Sequence, residues 1–379
     1  MDSAGRMRIA LEGGCPDKVP LFWVHDERYV MKAQKKTVRE YLTGTAEEMS
    51  RMTANGFYLH PSDGYLVEAL YRFNFRDHNE LEDIQGDYHV FRNIDTGKRY
   101  KIDEGGNWYE MDGKPYHEMA STFESLITCR EDIARLVPKN QPAGFDGEFG
   151  LFSPARHLSS QNPDRHFSLE ITTPLVRALT RCGGYEAGLC LLFEDPSLMM
   201  ALMEAEMELE MKKLPAMVDA GAKSIYLTSF FTGTDTISQD TFRRMILPLE
   251  VEIIEQIHKA GLFVIYWFLG NMEPLLEDFR RMPFDALAPE QARKGYNISY
   301  KTLRNVLGKA CLFAHTREED MINNKQDPMR TYFDTQYREA GQDGAFVAGV
   351  TITPENANPE ALKHYSSIVK EYNYPKSNK

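Results

Sequence analysis

The chain has 379 residues, of which 42% are hydrophobic and 26% charged, with 19 prolines and a net charge of −12. That is the make-up of an ordinary globular protein with ample apolar surface to bury, and the negative balance argues against a nucleic-acid binder, which needs a basic face. The five cysteines, Cys15, Cys129, Cys182, Cys190 and Cys311, are scattered without a CxxC pair, so neither a disulfide framework nor a thiolate zinc cluster is expected.

The N-terminus lacks the apolar core of a signal peptide, and no segment approaches the roughly 20 apolar residues that span a bilayer, so a cytoplasmic protein with no membrane partner is expected. Residues 6–11 read as a short helix ended by Gly13 and Gly14. Pro20 opens a buried strand, LFWV, that runs into His25, Asp26, Glu27, Arg28 and Tyr29. Residues 38–52 are amphipathic and helical; residues 56–60 read as the second short strand, followed by Ser62, Asp63 and a helix over 65–72, which either residue could cap. From about residue 75 to 115 the pattern changes to period-two alternation with hairpin turns at Asp95-Thr96-Gly97 and Asp112-Gly113, an antiparallel insertion. Residues 124–136 return to helix.

The next strand is HFSLEI, residues 166–171, leading to Thr172, Thr173 and Pro174 and a helix. Residues 193–213 read as one helix opened by Asp195 and Pro196, whose Met199, Met203 and Met207 fall at helical spacing as core positions. A strand over 222–231 ends in Thr228 and Ser229, and a helix over 241–260 follows, with His258 placed to compensate its dipole. Seven apolar residues, 262–268, then form a strand buried on both faces, broken at Gly270-Asn271. Further repeats end at Glu290, His315 and Val350. This rhythm, with no GxGxxG turn after any strand, predicts a (β/α)8 barrel, a single domain over 1–371 with the insertion at 76–118 and a flexible tail at 372–379.

The helix ending IHKAG, the buried strand, the Gly270-Asn271 turn and the segment EPLLEDF resemble the uroporphyrinogen decarboxylase superfamily, and within it the corrinoid-dependent methyltransferase branch. That branch carries His-x-Cys-Gly-Asn at this turn, with His and Cys binding zinc and a further Cys near the position of Val350. Here the residues are Trp267, Phe268, Leu269, Gly270 and Asn271, so the resemblance keeps the backbone signature without the ligands. The decarboxylases bind a substrate carboxylate through an Arg matched by Arg28, beside Tyr29, and use an Asp matched by Asp63. Their other first-loop arginines and their final-strand histidine have no counterpart here.

Strand ends gather His25, Asp26, Arg28, His60, Asp63, Thr172, Ser229, Trp267, Glu290 and His315 around one mouth. The resemblance implies a methyl-transferring subunit that takes a methyl group from a small methoxylated aromatic donor to a corrinoid held on a separate protein, since the chain has no Asp-x-His-x-x-Gly motif. His60, His315 and Asp63 are the candidate catalytic groups. His25, Arg28, Tyr29, Ser229, Tyr266, Trp267, Asn271 and Glu290 are the candidate substrate contacts. Any zinc would need a differently built site, for which His60, Glu290 and His315 offer donors. A decarboxylase of a tetrapyrrole or small aromatic acid and a non-catalytic binding homologue stay open, as does a homodimer.

Overall fold

The computed structural model describes residues 1–70, 79–94, 97–113, 125–141, 144–290, 298–349 and 352–374. Its strands, in chain order, are β1 (Leu21–Trp23), β2 (Gly64–Leu66), β3 (Asn79–Gln85), β4 (Tyr88–Asn93), β5 (Arg99–Ile102), β6 (Trp108–Glu110), β7 (His166–Thr172), β8 (Ser224–Phe230), β9 (Phe263–Leu269), β10 (Ala286–Pro289), β11 (Cys311–Ala314) and β12 (Phe346–Gly349). Eight of them close into a barrel in the order β1-β12-β11-β10-β9-β8-β7-β2, while β3 to β6 form a separate antiparallel sheet. All barrel pairs are parallel, and closure is made by Leu21 beside Ala348.

Each barrel strand is buried on both sides because alternate residues serve two cores. Phe22, Val24, Leu66, Tyr226, Ile265, Trp267, Ala288, Phe313 and Val347 fill the interior. Trp23, Tyr65, Leu169, Leu227, Val264, Tyr266 and Leu312 face the surrounding helices. Phe22 stacks on Tyr226 with centroids 6.1 Å apart and meets Phe313 edge-on at 5.4 Å. Gly64 makes this plug fit, since a Cβ there would lie 2.5 Å from the Phe22 ring.

Two expectations fail at β2. Residues 56–59 belong to the helix Ala46–Leu59, whose Thr45–Glu48 capping box and buried Met49, Thr53, Ala54 and Phe57 commit the segment to helix. Gly64–Leu66 is the strand, and the helix read over 65–72 does not form across 65–70: the Val67 N–H donates to the Ser168 carbonyl at 2.9 Å and the Leu70 N–H to that of Leu151 at 2.9 Å. Residues 71 and 72 lie outside the described residues.

Smaller differences follow local chemistry. The helix read over 193–213 is two, Tyr185–Glu194 and Pro196–Met211, with Asp195 capping the second through the Leu198 N–H at 2.9 Å. The helix after β8 widens into a π turn at Phe242–Ile246 before Leu247–Lys259, next to Pro248, which has no N–H to donate. His258 pairs with Asp285 at 2.8 Å. The antiparallel sheet packs Phe91, Tyr100, Ile102 and Trp108 together and rests on the helix Val38–Leu42, where the Arg39 N–H donates to the Glu104 carbonyl at 3.3 Å. Residues 95, 96 and 114–124 of the insertion region lie outside the described residues. Among the described residues, no helix is long and apolar enough to cross a membrane.

Candidate active site

A cavity of about 1010 Å³ opens at the carboxyl ends of the barrel strands, the edge where barrel loops carry function over a rigid scaffold. Alternation decides what enters it. Beyond Val24, Leu66, Ser168, Ile265 and Ala288, the next inward positions bring Asp26, Glu68, Glu170, Trp267 and Glu290 to its wall, with Leu269 after Trp267, joined from the loops by Phe231, Asp235, Glu318 and Glu355. Seven carboxylates therefore line it, against one cation among the described lining residues, Arg28, which sits 3.9 Å from Glu355 on the exposed rim. Trp267, only 7% exposed, tilts against Tyr226 with centroids 5.5 Å apart, and its indole N–H has no partner among the described residues.

Of the residues expected at this site, Asp26, Arg28, Trp267 and Glu290 line the cavity. His25 does not. Its ring turns outward from β1 into the helical shell, where Nδ1 meets the Thr353 hydroxyl at 2.9 Å and the ring packs on Tyr29 and His60. Tyr29 lies beside it and meets His60 Nε2 at 2.7 Å. Burial, aided by the neighbouring His60, pushes His25 well below the usual histidine range, and burial together with Lys363 pushes His60 down to about 4. Both rings are neutral at neutral pH.

Ser229 and Tyr266 also face outward. They donate to the two oxygens of Glu250, on the helix Leu247–Lys259, at 2.7 and 2.5 Å. Glu250 is fully buried, and burial raises it to about 7 although these hydroxyls oppose the shift.

Asp63 is at the opposite end of the barrel from the cavity, a correction that follows from the true position of β2. It precedes the strand, so its carboxylate accepts from the Leu21 N–H at 3.0 Å, from the Ser3 hydroxyl at 2.7 Å and from Arg6. It ties the first helix to the amino ends of β1 and β2.

Asn271 serves the turn itself. Its side-chain oxygen accepts from the Glu273 N–H at 3.2 Å, its own N–H donates to Asp235 at 2.8 Å, and its carbonyl accepts from the Thr234 N–H at 3.0 Å. Gly270, at φ 128°, brings the backbone against Gly233: a Cβ on Gly270 would lie 3.1 Å from the Gly233 Cα, and one on Gly233 would lie 2.9 Å from the Gly270 Cα. The loops after β8 and β9 are thus locked together, and the Gly270 N–H donates to Glu290 at 2.9 Å.

His315 lies 6% exposed between two tyrosines, beside a smaller cavity of about 140 Å³ that Glu290 also lines. The Tyr300 hydroxyl donates to the Phe313 carbonyl at 2.7 Å, so at 2.7 Å from His315 Nδ1 it accepts, which assigns the proton to Nδ1 and leaves Nε2 to accept from Tyr332 at 2.8 Å. Among the described residues no three His, Cys, Asp or Glu side chains come together as a metal site, so His60, Glu290 and His315 are not assembled into one. Zinc does not fit the turn at which the sequence resemblance implies its ligands, because Trp267 and Leu269 offer no suitable lone pair; Val350 lies outside the described residues.

Among the lining residues that were not anticipated, two bear on the chemistry. Glu68 was hidden by the misplaced β2. Glu170 carried a signal of its own, as the one carboxylate inside the buried strand His166–Thr172, whose alternate positions Phe167, Leu169 and Ile171 are apolar. Burial, and then the charges of Glu170, Glu27 and Asp26, push Glu68 well above the usual carboxylate range; burial raises Glu170, partly offset by Thr228, and Glu210 adds to it.

The uroporphyrinogen decarboxylase (URO-D) family model matches residues 175–372, more than half of the chain. The chain belongs to the uroporphyrinogen decarboxylase family. Among solved structures, this URO-D protein is similar to a methyltransferase from Methanosarcina mazei, with a TM-score of 0.68 at 16% identity over 98% of this chain and 99% of that one. A B12-independent methionine synthase from a Shewanella species matches with a TM-score of 0.46 at 10% identity, over 86% and 88% of the two chains. No curated protein matches the chain.

Proposed function

We propose that this URO-D protein is an enzyme that transfers a methyl group from a small methoxylated aromatic donor to a corrinoid carried by a separate protein docked over the barrel mouth. The observation that carries the reading is the cavity itself, with Phe230, Phe231 and Trp267 offering flat apolar faces to a ring. The likeness of fold to a methyltransferase along nearly the whole chain supports it. The reduced corrinoid supplies the nucleophile. The protein's own residues hold the ring, exclude water and place the methyl toward the open mouth.

The same wall speaks against decarboxylation of a tetrapyrrole. A substrate bearing many carboxylates needs cations, and seven carboxylates against Arg28 repel it. The donor is therefore a neutral aromatic ether. The test mixes the purified protein with reduced corrinoid protein and a panel of methoxyaromatics and follows formation of methylcobalamin by absorbance. Methylation from at least one neutral ether is expected; no methylation across the panel, with CO2 released from a carboxylated substrate, would move the enzyme to the lyases.

A further inference from the structure

Breaking an aryl methyl ether places negative charge on the departing oxygen, and a positioned proton donor lowers that barrier. Neither expected histidine supplies it at the cavity wall: His60 is turned into the outer shell against Tyr29, and His315 is held between Tyr300 and Tyr332. We propose that Glu68 and Glu170 are the acid–base pair of the cavity, with Glu68 holding a proton that the ionised Glu170 keeps in place and delivering it to the departing aryl oxygen. This inference rests on the methyl-transfer reading above.

The geometry comes from the strand register. Leu66 pairs with Ser168, and the ladder runs on through the Val67 N–H to the Ser168 carbonyl, so Glu68 continues beside Glu170 on the neighbouring strand. Both fall on the inward face, two positions above Leu66 and Ser168. Adjacent strands lie about 4.8 Å apart. Two carboxyl groups brought side by side on neighbouring strands and partly shielded from water do not readily both ionise. Neither forms an ion pair among the described residues, and both line the large cavity.

The groups facing the pair reinforce the proton. Asp26 and Glu27, beyond β1, act on Glu68. Glu210, on the helix Pro196–Met211, acts on Glu170, with Lys213 just past that helix and the Thr228 hydroxyl of β8 opposing it. Tyr41 and Tyr65 near Glu68, and Tyr226 near Glu170, are phenols that burial keeps protonated. In the step, the methyl C–O bond breaks with its electron pair passing to oxygen while the methyl passes to the nucleophilic corrinoid. The Glu68 O–H breaks as the phenol O–H forms. The phenol leaves, and water returns one proton to the doubly ionised pair.

The experiment uses the full chain as wild type, Glu68→Gln and Glu170→Gln, each checked for an intact fold by thermal melting. Carboxyl ¹³C NMR follows the titrations without any substrate, and methyl transfer to reduced corrinoid protein is measured with aryl methyl ethers of graded phenol acidity. Glu170→Gln is expected to lower the Glu68 titration, and the alkaline limb of the kcat profile with it, by about one pH unit or more. Glu68→Gln is expected to slow unactivated ethers by about 10²-fold or more, the scale of a lost general acid, with a smaller loss for nitro-activated ethers whose phenolates leave unaided. An active enzyme whose Glu68 titration ignores Glu170→Gln, or whose Glu68→Gln loss is equal for every ether, overturns the pair and leaves methyl transfer standing. A protein inactive toward every ether but with coupled titrations overturns proton delivery, together with the methyl-transfer reading on which it rests.

Discussion

The inside and the outside of the same barrel wall differ by one residue in the chain and by everything in their chemistry. Glu170 looks into the cavity with no ion-pair partner among the described residues. Ser229 and Tyr266, from the next two strands, look outward and are tied to Glu250 by short hydrogen bonds. On the outer side the buried Glu250 has a hydroxyl donor for each of its oxygens, as a packed interior requires. On the inner side carboxyl groups crowd together around a space open to a ligand. Being at a strand's carboxyl end is thus not enough to make a residue functional. The parity of its position decides whether it can touch a substrate.

The comparison is sharpest where Glu250 titrates. Its folded-state value, about 7, lies above the ordinary carboxylate value of 4.5, so between those pH values the folded chain binds the extra proton and stability falls as pH rises. The loss is about 3 kcal/mol across that window, at roughly 1.36 kcal/mol per unit. Urea unfolding of wild type and Glu250→Gln at pH 4.5 and 7.5 isolates it: the wild type should lose that much relative to the variant, and parallel pH dependences would remove Glu250 from the buried shell. A smaller effect is expected at His60. His60→Ala leaves the Tyr29 hydroxyl without its partner and should cost about 2 kcal/mol of stability, while methyl transfer stays within a few-fold of wild type. A hundredfold loss of transfer with an intact fold would return His60 to the chemistry. The smallest effect is read on the donor. The carboxylate-lined wall should raise KM for a methoxybenzoate about tenfold over a neutral methoxyphenol of the same shape, equivalent to about 1.4 kcal/mol, and equal KM values would show that the wall does not read charge.

The barrel was legible because its longer strands are unbroken apolar runs such as Phe263–Leu269, followed by turn signals. β2 was not, since three residues carry no periodicity and the preceding helix ends only at Leu59. That slip carried Asp63 from the amino end of the barrel to its mouth and hid Glu68. His25, Ser229 and Tyr266 were placed near the right edge but on the wrong face, because parity needs the register and the register is a tertiary property. Trp267, Glu290 and Arg28 were found because each lies close to the carboxyl end of a strand whose apolar run is legible in the sequence: Trp267 within its last three residues, Glu290 just after it and Arg28 in the first turn of the helix that follows.

The close approach of Gly233 and Gly270 has a bearing on how such a site can change over generations. With no room for a side chain at either glycine and with Asp235 receiving the Asn271 N–H at 2.8 Å, the loops after β8 and β9 form one inheritable block. A new donor specificity cannot be reached by lengthening one of them alone. Variation enters more readily on the other side of the mouth, where the side chains of Arg28 and Glu355 meet across a solvent-exposed 3.9 Å and the two loops are joined below them by the Asp26 N–H to the Thr353 carbonyl at 3.1 Å.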